Sequence, residues 1–479
     1  MPLVLGVDIG TTTITALALD PATGAIAASA STTNTVEITS TGDKARGRSE
    51  WDMRLMTDRT CACLRRVAQT LGARRSELAG VGLTGQQHGV VVVDDQLTPL
   101  TPFVNWQDRR GEEQFPRSKQ SYVQRAAELL GKDAPQRTGC RLAAGYMALT
   151  LFWMHERGVL PAAGTACFAT DYLAAFLTGR PPVTDPTCAA SGGIFDIREN
   201  KWDPDLINAL KLPPILFPEV RTSGDRLGEV TADGEAATDL PAGLPVFVGV
   251  GDNQASFLGS VAGRDDTVLV NVGTGGQVGM FTESFLYSGE LETRPFPRGG
   301  YLLVFAGLTG GRVYAVLERF FRQVGAELFA TEPPESIYPV MNQLAALVPR
   351  GAQGLRCEPF FTGSRRQPDL RATFTGLSAD NFTPAHLTRA LLEGMGHALH
   401  AGYEKLQDAA NRSAQRLVGA GNGLRENLVL ARIIGEEFGM PIQFPHHREE
   451  AAYGAALLAA VGAGLAPDLA TAARVIRYD

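Results

Sequence analysis

Residues 3–20 read LVLGVDIGTTTITALALD. An apolar run, 3–7, leads into Asp8, a Gly/Thr turn follows, and residues 14–20 resume a strand pattern. That order predicts a β-hairpin whose turn is Gly10, Thr11, Thr12 and Thr13. Residues 267–281, TVLVNVGTGGQVGMF, repeat the unit about 260 residues later, with the turn at 273–276. Two copies of one hairpin predict a duplicated domain, the turns facing each other across a cleft. The boundary is expected near 255, giving domains 1–255 and 256–479. Between the copies, 52–71 has helical periodicity with Leu55, Leu64, Val67 and Leu71 inward. Residues 244–261 read as a buried strand ending at Gly251, then Asp252, then a helix. Three further helices are expected at 383–407, opened by Thr383 and Pro384, and at about 425–438 and 449–463. The class is α/β.

The 479 residues carry 44 Lys+Arg against 51 Asp+Glu, a net charge of −7, with 44% hydrophobic and 20% charged residues. This length and balance suit two or three soluble domains. The acidic excess argues against a nucleic-acid partner, whose usual footprint is a basic patch. Six Cys without a CxxC pair suggest reduced, mostly buried thiols. The first basic residue is Lys44, so no signal n-region opens the chain, and 451–467 is too rich in Ala and Gly for a membrane span. A cytoplasmic protein is expected, without a membrane partner. Two-fold dimers are the commonest assembly, so a homodimer is the expectation for oligomeric state.

No GxxxxGK[ST], no GxGxxG after a strand and no HRD or DFG signature is present. The phosphate-binding candidates are therefore the two hairpin turns, which offer backbone N–H groups and hydroxyls to phosphate oxygens. Asp8, at the strand end, suits Mg²⁺ held through water. The plainer alternative is an ordinary Gly turn. Asp252 stands where α/β proteins place ligands, and can take a proton from an attacking hydroxyl. It can equally cap the helix that starts beside it, and the two roles are compatible. GAGNGLRENL, 419–428, lets a flat ligand approach Gly421, with Asn427 in reach of its edge; the alternative is a plain strand-to-helix turn. GQQHG, 85–89, and NWQDRR, 105–110, gather Gln86, Gln87, His88, Trp106 and Asp108, amides, carboxylate and an aromatic wall suited to a polyhydroxylated ligand. His88 taken alone is an ordinary loop histidine.

As an ordered set, DIGTTT, GQQHG, GDNQA, NVGTGGQ, the Gly-rich 419–423 and the final small-residue helix resemble the FGGY carbohydrate kinases across essentially the whole chain. The resemblance implies two ribonuclease-H-like domains of the actin/hexokinase/Hsp70 ATPase superfamily with a cleft between them, ATP and Mg²⁺ as cofactors, and a ketose substrate. The sugar would bind mainly to the N-terminal domain and the nucleotide mainly to the C-terminal one. WQDRR at 106–110, CAASGGIFD at 188–196, GDNQAS at 251–256 and QPDLRATFTGL at 367–377 are most similar to the sedoheptulose-phosphorylating branch, with the D-xylulose branch next. It implies Asp252 as general base and Asp8 as organiser of Mg²⁺. Thr11, Thr12 and Thr13 with Gly273 and Thr274 would flank the ATP phosphates, after Gly10. Gly310, Gly421 and Asn427 would line the nucleotide pocket, and Gln87, His88, Trp106, Asp108 and Asn253 would meet the sugar. Three positions depart from the pattern: Gln87 where the family commonly has Met, Arg109 where the branch has Gly, and Gly-Thr-Gly-Gly where it more often has Ser-Thr-Ser. The first two stand on the sugar side, so D-xylulose or another pentulose or polyol stays open as substrate; the third stands on the phosphate side and keeps Thr274. Two other classes stay open as well: a non-catalytic sugar- or nucleotide-binding regulator, and an actin- or Hsp70-like ATPase machine.

Overall fold

A computed structural model describes residues 2–331, 334–361, 363 and 369–479, with backbone alone at 308 and 309. Gln367 and Pro368 of the 367–377 motif lie outside the described residues. The chain divides into two compact units. The first comprises Met1–Gly263, Thr282–Leu302 and Glu449–Arg477; the second comprises Arg264–Phe281, Leu303–Arg448 and Tyr478–Asp479. They are not continuous halves on either side of 255, because Thr282–Leu302 and Glu449–Arg477 belong to the first unit.

In the first unit, the strand Leu3–Ile9 pairs antiparallel with Thr13–Leu19, which pairs antiparallel with Ile26–Thr33. On its other edge Leu3–Ile9 pairs parallel with Leu78–Gly85, which pairs parallel with Pro245–Phe247 and Val250–Gly251. Burial of both faces explains why the first strand is an almost unbroken apolar run. Side chains alternate across it. Leu3, Leu5, Val7 and Ile9 enter the core with Met53, Met56, Leu64 and Val67 of the helix Met53–Leu71. Asp52 caps that helix by accepting from the Leu55 N–H at 3.0 Å. Leu55 itself is exposed rather than inward; Met53 and Met56 take the core positions of that first turn.

Gly6 and Asp8 belong to the opposite face, where the helix Glu450–Gly462 packs. A Cβ on Gly6 would stand 1.9 Å from the Ala452 carbonyl oxygen, and one on Gly82 would stand 2.0 Å from that of Ala455. The same helix crosses Asp252–Ser260 at Gly454 and Gly259, where a Cβ would lie 1.9 Å from the carbonyl oxygens of Ala255 and Glu450 respectively. The small residues of the C-terminal helix thus allow backbone to touch backbone on a sheet and on a second helix.

The second unit repeats the plan. Thr267–Val272 pairs antiparallel with Gly275–Thr282 and parallel with Arg416–Ala420, which pairs parallel with Ile442–Gln443. Asn271 holds the register that Asp8 holds in the first copy, two residues before the turn. Thr383 caps the long helix Pro384–Ala410 by accepting from the His386 N–H, and Pro384 occupies its opening turn. All six cysteines are free thiols; five are buried and Cys140 is half-buried. Among the described residues no helix is long and apolar enough to cross a membrane.

Candidate active site

Asp8 sits between Thr15 and Thr84 in the sheet register, at the end of its strand. Its Oδ1 is buried and has no hydrogen-bond partner. Burial, and then the carboxylates of Asp252 and Glu449, push it up to about 8. In the turn that follows, a Cβ on Gly10 would meet the Thr13 carbonyl oxygen at 2.7 Å, so the tight return requires glycine. Asn34 braces this turn: its amide donates to the Gly10 carbonyl at 2.8 Å and its backbone N–H to the Thr12 carbonyl at 2.8 Å. Thr12 and Thr13 are exposed and Thr11 is half-buried. The Thr11 hydroxyl accepts from the indole N–H of Trp106 at 2.8 Å.

Asp252 is the first residue of the helix Asp252–Ser260, and Gly251 holds the capping position without a side-chain cap. The carboxylate is therefore not the Ncap group that sequence left open as its alternative. It is half-buried where the parallel strands end, and burial pushes it up to about 6. Arg294 and the N–H groups of Asn253 and Asp252 itself keep it from rising further. At neutral pH it is an ionised base, close to the range that favours proton transfer.

The loop 85–89 lies beside it. Gln87 is buried and donates from Nε2 to the Thr187 carbonyl at 2.9 Å. It lies so close over Gly251 that a Cβ there would stand 2.1 Å from that Nε2. His88 adopts φ 73°, a left-handed conformation that favours glycine. Its N–H donates to Ser191 Oγ at 3.0 Å, its Nδ1 lies 2.8 Å from the Ser191 carbonyl, and its ring stacks on Tyr146 at 4.1 Å. Asn253 is half-buried with an unpartnered Oδ1. Gln86 carries no role of its own in the GQQHG pattern, yet both its amide atoms are buried without a partner, as is Thr84 Oγ1. Leaving such groups unpaired costs roughly 1–3 kcal/mol each. Gln86 follows the Gly85↔Gly251 pair, a long-range register that no local sequence pattern carries.

Asp108 corrects an expectation. It is fully buried, and its oxygens accept from the Ser49 N–H at 2.8 Å, from Arg110 N and Nε at 2.8 Å, and from Arg110 Nη2 at 3.0 Å. With no surface to offer a ligand, it shapes the loop that carries Trp106 instead of touching sugar. Arg109 pairs with Glu112 on the exposed side.

In the second unit, Gly273, Thr274 and Gly275 are exposed. The Gly311 N–H donates to the Gly273 carbonyl at 2.9 Å and that of Arg312 to the Thr274 carbonyl at 3.1 Å, seating the helix Gly311–Phe329 against the turn. A Cβ on Gly310 would lie 2.3 Å from the Gly275 carbonyl carbon; one on Gly421, at φ 84°, would lie 2.6 Å from Asn271 Oδ1. Gly273, Thr274, Gly310 and Gly421 are thus brought together. Asn427 is otherwise engaged: buried, it caps Leu428–Phe438 by accepting from the Leu430 N–H at 3.0 Å.

An unpartnered carboxylate oxygen, on a group pushed up by two other carboxylates, fits a divalent cation at Asp8. No group of three or more His, Cys, Asp or Glu side chains among the described residues could cage a metal. Such an ion would keep water as ligands, the habit of Mg²⁺.

Residues 3–259 match the N-terminal domain, and 269–463 the C-terminal domain, of the FGGY family of carbohydrate kinases. The chain belongs to that family. As an FGGY kinase it is an ATP-dependent phosphotransferase with a hydroxyl acceptor, on the two-domain actin/hexokinase-like fold. Members of the family generally work with a divalent metal. It is 28% identical to human sedoheptulokinase over 95% of this chain and 97% of that protein. It is 25% identical to the xylulose kinase of Staphylococcus xylosus over 96% and 91% respectively. The crystal structure of xylulose kinase from Rhodospirillum rubrum superposes with a TM-score of 0.85 at 29% identity, covering 100% of this chain and 93% of that one.

Proposed function

We propose that this FGGY kinase phosphorylates the terminal hydroxyl of a ketose, with sedoheptulose as substrate and sedoheptulose 7-phosphate as product. The observation that carries the chemistry is Asp252: a carboxylate at the parallel-strand ends, pushed up to about 6 and steadied by helix N–H groups. In this reading the sugar O–H donates its proton to Asp252, the hydroxyl oxygen attacks the γ-phosphorus, and the β–γ bridging bond breaks to release ADP. Catalysis is then mostly positioning and charge stabilisation. Gln87, His88, Asn253 and the wall of Trp106 orient the sugar, and Gln86 offers it two further unpaired atoms. Residues 10–13, with three hydroxyls, and 273–276, with that of Thr274, present hydroxyl and N–H groups to phosphate oxygens, while Gly310 and Gly421 give the nucleotide close approach to backbone. Mg²⁺, held by Asp8 partly through water, would supply neutralisation of phosphate charge.

Sedoheptulose is favoured by likeness to the human enzyme along nearly the full length of both chains. The likeness to the Rhodospirillum rubrum structure favours D-xylulose as the second reading. ADP release measured with sedoheptulose, D-xylulose, L-ribulose, glycerol and erythritol separates them. The highest kcat/KM should belong to sedoheptulose. A tenfold preference for D-xylulose selects the second reading, and ADP release that no acceptor stimulates overturns both.

A further inference from the structure

The short helix Pro186–Ser191 bonds both to Gly251, the residue that precedes Asp252, and to the loop 85–89. The Gly251 N–H, at the capping position of the Asp252 helix, donates to Thr187 Oγ1 at 2.7 Å. The Thr187 hydroxyl lies 2.7 Å from Asp185 Oδ2 and 2.9 Å from Oδ1. A hydroxyl has one proton to give. Here it goes to the carboxylate, which leaves a lone pair aimed at Gly251. Asp185 is fully buried, and also accepts from Ser223 Oγ at 2.5 Å, the Thr187 N–H at 3.1 Å and the Cys188 N–H at 2.9 Å. Those bonds fix its orientation. The same helix also holds the loop 85–89, at both of its ends. Gln87 Nε2 donates to the Thr187 carbonyl, the His88 N–H donates to Ser191 Oγ, and that hydroxyl donates to the Cys188 carbonyl at 2.7 Å.

We propose that Asp185 and Thr187 are positioning residues for the base Asp252, that Ser191 is a positioning residue for His88, and that this one helix sets the spacing between base and sugar. The inference rests on the reading of Asp252 as the base. A purely structural network would loosen the unit as a whole. A positioning network splits its effects, the Thr187 hydroxyl acting on turnover and the Ser191 hydroxyl on sugar binding.

The test is steady-state ADP release by the full chain, varying sedoheptulose and ATP separately, with thermal melts alongside. Thr187→Val keeps the shape but loses the hydrogen bonds. It should lower kcat about 10- to 100-fold, the scale of a slight misplacement at a reacting centre, with KM for ATP unchanged within about twofold. Thr187→Ser should recover kcat to within about threefold, because the hydroxyl returns. Ser191→Ala should raise the sugar KM about 3- to 10-fold, as for a lost hydrogen bond, with a much smaller change in kcat. Asp252→Asn is the control. If it is inactive while Thr187→Val turns over like wild type, the positioning role is overturned and the base stands. If it keeps more than a tenth of wild-type kcat, the base reading fails first. Equal losses in kcat and both KM values, with a lower melting temperature, also overturn the proposal. Should Thr187→Val not fold, Ser191→Ala decides alone, and an unchanged sugar KM overturns it.

Discussion

The indole N–H of Trp106 donates to the hydroxyl of Thr11 at 2.8 Å, joining the expected sugar wall to the turn proposed to hold phosphate. As an acceptor from Trp106, the Thr11 hydroxyl keeps its own proton to donate. Trp106→Phe retains an aromatic wall and removes the bond. KM for ATP should rise about 3- to 10-fold, the worth of one hydrogen bond, with a smaller change in sugar KM. Initial-rate kinetics check this, and a rise confined to sugar KM would contradict it.

The acid limb of activity follows from Asp252. The base must be ionised, and it is pushed up to about 6. Below about pH 6, kcat/KM for the sugar should fall about tenfold per pH unit. A profile measured from pH 5 to 8 that stays flat down to pH 5 would place the essential proton acceptor elsewhere.

Asp8 makes a prediction about stability. Its carboxyl is raised from 3.8 to about 8, so between those values the folded chain holds a proton that the unfolded chain has released. Stability therefore falls as pH rises across that interval. Asp8→Asn removes the loss. With chelator present, the variant should melt above wild type at pH 8, by at least about 2 °C, and the gap should shrink at pH 5. A gap of the same size at both values would show that the charge is not its cause.

Gly454 is where the C-terminal helix meets the base helix. A methyl group there would lie 1.9 Å from the Ala255 carbonyl oxygen, whereas one on Gly42 meets nothing within 4 Å. Gly454→Ala should destabilise by about 1–3 kcal/mol or more, since backbone must separate from backbone, and kcat should fall as the Asp252 helix shifts. Gly42→Ala, inside the short helix Thr41–Ala45, should leave kcat untouched and stabilise slightly, by up to about 1 kcal/mol. Thermal melts of the pair check the contrast.

Local pattern carried much of this fold. Strand-turn-strand repeats, the apolar strand before Gly251, and the Thr383–Pro384 opening are all short-range signals. Asp8 and Asp252 were legible because they interrupt apolar runs at strand ends. What stayed hidden depends on partners far along the chain. Asp108 reads as a sugar ligand until Ser49 and Arg110 fill its oxygens. Asn427 reads as a nucleotide contact until the Leu430 N–H takes its Oδ1. The C-terminal helix announces tight packing through Ala and Gly, but nothing local says that it returns to the first unit or that Glu449 comes within electrostatic reach of Asp8.

Single-turnover phosphoryl transfer by Asp252→Ala, with ATP and sugar affinities measured in parallel, tests the assignment most directly. Both ligands should bind as in wild type while the transfer rate drops about 10²- to 10⁴-fold, the worth of a general base. Transfer at more than a tenth of the wild-type rate with binding intact would mean that another group takes the proton.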